Sequence, residues 1–262
     1  MANKHITVSD LNDGQVVEVR LGPAPGNVIG MDLMEELSAE ISRLSSDSPE
    51  NMHVKLIIFT GEGDHFSYGA SVEEHRPESV GAMLPRFHAL IGQVLHCRIP
   101  TLARVSGLCL GGGFELALAC SMIFCAEDAG LGVPEIQLGV FPPAASVLLP
   151  CKVGDSVACE IILSGQTYSA DECGRLGIVN KVAAKESLEE MVSGFVEKHI
   201  LPKSASSLKI ACEVSRLPIR EYYDGHIGAV EKIYLDTLMS TTDAVEGIAS
   251  FLEKRSPRWV DK

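Results

Sequence analysis

Apolar residues change their spacing along the chain, and the changes separate strands from helices. Ile6-Thr7-Val8 and Val16-Val17-Glu18-Val19-Arg20 are short β-prone runs with Asn12-Asp13-Gly14 between them, which predicts a hairpin. After Pro23-Ala24-Pro25-Gly26, the residues Met34, Leu37, Ile41 and Leu44 recur at three- and four-residue steps. Glu35, Glu36 and Glu40 fall between them, so the segment reads as an amphipathic helix. Residues 54–60 (VKLIIFT) form an apolar run of the kind buried on both faces of a sheet, and Gly61-Glu62-Gly63-Asp64 ends it in a turn. A helix over 80–97, a strand over 101–105, a helix from the Gly111-Gly112-Gly113 triplet through Cys120, and a strand over 122–125 follow. This alternation predicts an α/β architecture with crossover connections. Beyond about residue 185 the pattern is helical only, over 187–199, 205–216, 219–239 and 242–255. The chain therefore divides into a core over 1–195 and a C-terminal helical region over 196–262, suited to packing or oligomer contact.

Composition narrows the function classes. The 262 residues are 46% hydrophobic and 22% charged, as in an ordinary globular protein and unlike a disordered one. With 22 basic against 35 acidic residues the net charge is −13, which argues against a nucleic-acid partner, because neutralising phosphates needs a basic face. An anionic ligand would have to be held by local amides and a few cations. No apolar stretch follows Met1-Ala2-Asn3-Lys4-His5, and runs such as 140–150 are short and broken by prolines. Neither a secretory leader nor a membrane span is expected. The eight cysteines contain no CxxC pair and read as reduced thiols of a cytoplasmic protein. The histidines lack ligand spacing, so no metal site is expected; His88 and His96 read as solvent or partner contacts on the 80–97 helix. Ser67 and Ser146 lack a nucleophile-elbow motif.

The candidate chemistry lies in two glutamates. Glu115 is the only charged residue between Leu108 and Cys120, and apolar residues surround it in every helical direction. Removing a carboxylate from water costs several kcal/mol unless it is paired. Burial raises its pKa, while the free amides of a helix start lower it, and a carboxylate between those limits suits general-base work near neutral pH. Glu135 repeats the theme as the sole charge between Leu131 and Phe141. Each has a bland alternative as a structural hydrogen-bonder, and spacing alone does not make the two converge. The glycine triplet reads either as close helix packing or as backbone that aims free N–H groups at a ligand. No Gly-Lys-Ser/Thr follows it, so it is not a phosphate loop.

Four segments in order, Phe66-Ser67-Tyr68-Gly69-Ala70, Gly111 through Ala117, Pro134-Glu135-Ile136-Gln137-Leu138-Gly139 and Phe251 through Arg255, make the chain resemble the crotonase (enoyl-CoA hydratase/isomerase) superfamily over nearly its whole length. The resemblance implies a spiral of ββα turns with C-terminal helices, assembled as a homotrimer or a pair of trimers. It implies an acyl-CoA substrate and no cofactor beyond the CoA that the substrate carries. Ala70 and Gly112 match the amides that hold the thioester oxygen, and Glu115 and Glu135 match the pair that flanks a water in hydratases. The loop from Ser67 to Glu73, with Tyr68, Ser71 and Val72, matches the region near the CoA adenine. Tyr68 also reads as an acyl-pocket wall or as simple packing. Phe251 and Lys254 match residues that touch the CoA of a neighbouring subunit. Departures from the usual pattern are Ser71 and Glu73 after the oxyanion alanine, Asn27-Val28-Ile29, and Pro142-Pro143-Ala144-Ala145-Ser146 in place of a glycine-rich stretch. The Phe141-to-Ser146 wording is similar to hydratases of cyclohexa-1,5-diene-1-carbonyl-CoA, where Phe141 and Pro143 would shape a pocket for a flat ring. Hydration of that dienoyl ester, in anaerobic aromatic degradation, is the expected activity. General short-chain hydration, double-bond isomerisation and acyl-CoA binding without turnover are the alternatives.

Overall fold

The structure, a computed structural model, describes residues 5–46 and 48–262. Residues 1–4, on which the reading of the N-terminus partly rests, lie outside the described residues. Strands β1 (Ile6–Leu11) and β2 (Val16–Leu21) form the predicted antiparallel hairpin. Its turn places Asn12, Asp13 and Gly14 at φ 53, 56 and 76, a left-handed region that these residue types tolerate. Helix α1 (Met31–Ser45) buries Leu33, Met34, Leu37, Ile41 and Leu44 along one face. Strand β3 (Leu56–Gly61) lies parallel to β2, and its alternate residues enter different cores. Ile57 and Phe59 join the main core, whereas Leu56 and Ile58 face a second cluster. An apolar run without polar alternation is what such two-sided burial requires.

The chain continues through α2 (Val80–His96), β4 (Thr101–Val105), β5 (Leu108–Leu110), α3 (Gly112–Ala119), β6 (Met122–Ala126) and β7 (Gly130–Gly132). Helices α4 (Pro143–Val153) and α5 (Asp155–Ser164), strand β8 (Thr167–Ser169), helix α6 (Ala170–Arg175) and strand β9 (Lys181–Ala183) complete the core. The larger sheet has the order β1-β2-β3-β4-β6-β9, and β5-β7-β8 form a smaller one. All pairs in the larger sheet except β1–β2 are parallel, which requires the crossover helices. Helix α7 (Leu188–Phe195) closes the core, and the tail holds α8 (Ala205–Ser215), α9 (Leu217–Lys232) and α10 (Thr242–Leu252). Leu188 and Val192 of α7 cover the second face of the sheet.

Two helices predicted as continuous change pitch. The 187–199 helix passes into a π turn over Val196–Ile200, and the 219–239 helix passes into a π turn over Ile233–Thr237. His88 corrects another expectation. It is buried under α9, with Nδ1 2.7 Å from Glu231 Oε2, and the Tyr223 hydroxyl donates to its carbonyl at 2.9 Å. His96 is exposed and sits 3.0 Å from Asp224. Among the described residues no helix is long and apolar enough to cross a membrane, and no cluster of His, Cys, Asp and Glu suits a metal ion.

Candidate active site

The turn from β5 into α3 sets the first glutamate. Gly111 caps the helix at φ 49, and a Cβ there would lie 2.7 Å from Glu135 Oε1. Only glycine takes that backbone shape while leaving room for the second carboxylate. A Cβ on Gly112 would lie 2.9 Å from the Ala70 nitrogen and 3.1 Å from Phe87 Cζ, so glycine also permits two backbones to approach. Ala70 is held by a bridge in which Ile29 donates to Gly69 and Ser71 donates to Ile29. That bridge leaves the amide of Ala70 unused. The Gly112 amide is the first of α3 and has no partner within the helix. Among the described residues neither amide donates to another backbone group. Two unpaired donors brought together are the equipment of an oxyanion hole.

Glu115 lies one turn into α3 and is 3% exposed. Its Oε1 accepts a hydrogen bond from the Ala145 amide at 2.8 Å. Burial pushes its carboxyl up to about 7, against the amides of Ala145 and Ala144, which pull it down. Glu135 stands on a 3-10 turn over Pro134–Leu138. The residue is partly exposed, but its Oε2 is buried and has no hydrogen-bond partner among the described residues. Burial first, and then the charge of Glu115, hold its pKa well above the ordinary carboxylate value. The two groups share one titration, in which a single negative charge is the comfortable state.

A cavity of ≈ 680 Å³ opens beside the pair, lined by both glutamates, Ala70 and Gly112. Its walls include Met83, Leu84 and Phe87 of α2 together with Val140, Phe141 and Pro143. This is an apolar chamber with a few convergent polar groups, as a small-molecule site requires.

The profile of the family described as Enoyl-CoA hydratase/isomerase matches residues 12–262. The chain belongs to that family. It is 36% identical over 95% of both chains to a cyclohexa-1,5-dienecarbonyl-CoA hydratase of Thauera aromatica. To a probable enoyl-CoA hydratase of Bacillus subtilis it is 34% identical, over 90% of this chain and 91% of that one. Among solved structures, an enoyl-CoA hydratase from Bacillus anthracis superposes with a TM-score of 0.76 at 29% identity, over 99% and 100% of the two chains. One from Mycobacterium avium subsp. paratuberculosis, at 22% identity over 98% and 99%, reaches 0.85 and supports the crotonase fold. The named relatives are hydratases and dehydratases, and the chain is an enzyme of that hydro-lyase type.

In this family member one cavity gathers Tyr68, Ala70, Val72, Gly112, Glu115, Glu135, Phe141, Pro143, Phe251 and Lys254. Ser67 is not among its walls. It is wholly buried, donates from Oγ to Asn27 O at 2.8 Å and accepts from the Gly69 amide at 3.0 Å, so its hydroxyl braces the loop instead of meeting substrate. Ser71 lies in a separate depression with Gly30 and Glu74, turned there by the Ile29 bridge. Phe251 and Lys254, assigned by resemblance to a neighbour's CoA, line the cavity of their own chain. Sequence reasoning missed Ala145 as the donor to Glu115. The available signal was Pro143, a proline suited to the first position of a helix, which marks the following amides as free.

Proposed function

We propose that this enzyme adds water to a conjugated enoyl- or dienoyl-CoA thioester, with cyclohexa-1,5-diene-1-carbonyl-CoA as the preferred substrate. The observation that carries the reading is the coupled pair of buried carboxylates, Glu115 and Glu135, beside two unpaired amides. Near neutral pH Glu115, at about 7, is the group that ionises first and serves as base, while Glu135 keeps its proton and serves as acid. Glu115 takes a proton from water, and the water oxygen bonds to the electron-poor end of the conjugated alkene. The charge that moves onto the thioester oxygen is held by the amides of Ala70 and Gly112. It returns to carbon as Glu135 delivers its proton there. Fixed donors of this kind are each worth about 100- to 1000-fold in rate.

The cyclic substrate is favoured by the Thauera relative and by the walls. Leu84, Phe87 and Phe141 enclose the cavity with flat and branched apolar groups. Lys254 at the same cavity suits a CoA phosphate, and assembly as a homotrimer or a pair of trimers completes the proposal. The test incubates the enzyme with cyclohexa-1,5-diene-1-carbonyl-CoA and with crotonyl-CoA, following product mass. Addition of one water to the cyclic ester at least about tenfold faster supports the substrate choice. Hydration of crotonyl-CoA alone makes the enzyme a general short-chain hydratase, and a moved double bond without mass gain makes it an isomerase.

A further inference from the structure

A third buried polar group adjoins the glutamate pair. Tyr234 is 0% exposed, and its hydroxyl has no hydrogen-bond partner among the described residues. Buried hydroxyls are almost always paired, so an orphan calls for an explanation. Glu135 Oε2 is a second orphan. The Tyr234 ring stands edge-on to Phe141, with centroids 5.2 Å apart and planes at 70°, and Phe141 lines the cavity that holds both glutamates. Burial, then the charges of Glu135 and Glu115, push the phenol well above its ordinary pKa, so it remains a protonated donor. The residue also lies in the π turn over Ile233–Thr237. Such wide turns are rare within helices and frequent at functional sites. A donor and an acceptor oxygen, both without a partner among the described residues, lie close to the same site.

We infer that Tyr234 is a positioning residue of the glutamate pair, its hydroxyl donating to Oε2 of Glu135 after a small rotation of either side chain. The bond fixes the carboxyl rotamer and leaves Oε1, beside Gly111, as the oxygen that carries the transferable proton. A hydrogen bond donated to a carboxylate favours its charged form. Tyr234 thus draws the pKa of Glu135 down toward the working range, against burial and the charge of Glu115. The kinetic consequence rests on the hydratase reading; the hydrogen bond does not.

Tyr234→Phe keeps the ring and removes only the hydroxyl. The expected result is a kcat about tenfold lower with KM within about twofold. The alkaline limb of the pH–rate profile, where Glu135 loses its proton, moves up by about one pH unit. A lower melting temperature with both limbs unmoved makes Tyr234 merely structural and overturns the inference. An infrared titration of the protonated carboxyl band, assigned to Glu135 by its loss in Glu135→Gln, reads the same shift without turnover. A band that titrates higher in Tyr234→Phe upholds the hydrogen bond even if neither CoA ester is hydrated, an outcome that sinks only the hydratase reading. Coincident titrations in an enzyme that does hydrate its substrate sink the inference alone.

Discussion

At Glu115 two opposed effects act on one proton. Burial holds the carboxyl at about 7, above the ordinary 4.5, although the α4 amides favour its anion. The unfolded chain therefore releases this proton first as pH rises. Folding carries no charge penalty from Glu115 below pH 4.5, an increasing one up to about 7, and the full penalty above. The interval corresponds to about 3 kcal/mol. Glu115→Gln keeps an acceptor for Ala145 and removes the titration. Its unfolding free energy, relative to the parent, is expected to improve between pH 4 and pH 8 by up to that amount, measured by denaturant unfolding at both values. Parallel stability–pH curves would show that the carboxyl is not buried in this way. Both glutamates were legible in the sequence because a lone charge in an apolar run has few tolerable explanations. Ser67 was not, since a serine beside a glycine-rich loop serves substrate or backbone equally well. Tyr234 was also hidden, because an aromatic in a helical stripe looks like any core residue.

The start of α4 acts on Glu115, the proposed base, from across the site. Pro143 occupies the first turn and leaves the Ala145 amide to Glu115. Proline at 145 deletes that donor at a position where no intrahelical bond is lost. Without it the Glu115 anion loses support and its pKa rises. The acid limb of the pH–rate profile of Ala145→Pro is expected to move above 7 by about one unit, with most of the lost rate recovered near pH 9. An unmoved limb with a uniform loss at every pH would instead mean displaced geometry. The proline-alanine segment was visible in the sequence as a departure from a glycine-rich pattern, yet its role as a helix start aimed at Glu115 was not. Long elements such as α1, α2 and β3 were legible because period and length agree. β7, β8 and β9, at three residues each, are too short to show a period. The π turns likewise leave no mark in apolar spacing.

Over the whole molecule, charge and apolar surface divide the labour of holding a large anionic thioester. A net charge of −13 repels CoA at long range, so its phosphates must be met locally. Arg255 and Lys254 both line the cavity, and Arg255 is forked onto Glu246 and paired with Glu253. Phe251 and Lys254 line the cavity of their own chain, so CoA binding is expected to survive the loss of assembly. The surface expected to serve assembly is on α8. Ile210 and Val214, one turn apart on α8, are 55% and 58% exposed, and Leu217 follows at 45%. An apolar stripe of that kind is favourable only when covered. The wild type is expected to have about three times the 28.1 kDa chain mass, or twice that, by light scattering. Ile210→Glu with Val214→Glu is expected to yield monomers whose KM for the CoA ester stays within about threefold of the parent, a cost below about 1 kcal/mol. Variants that keep the parent mass would move the interface to another surface. Monomers with a KM raised tenfold or more would mean that Phe251 and Lys254 serve the CoA of a neighbouring subunit, as the family resemblance implies.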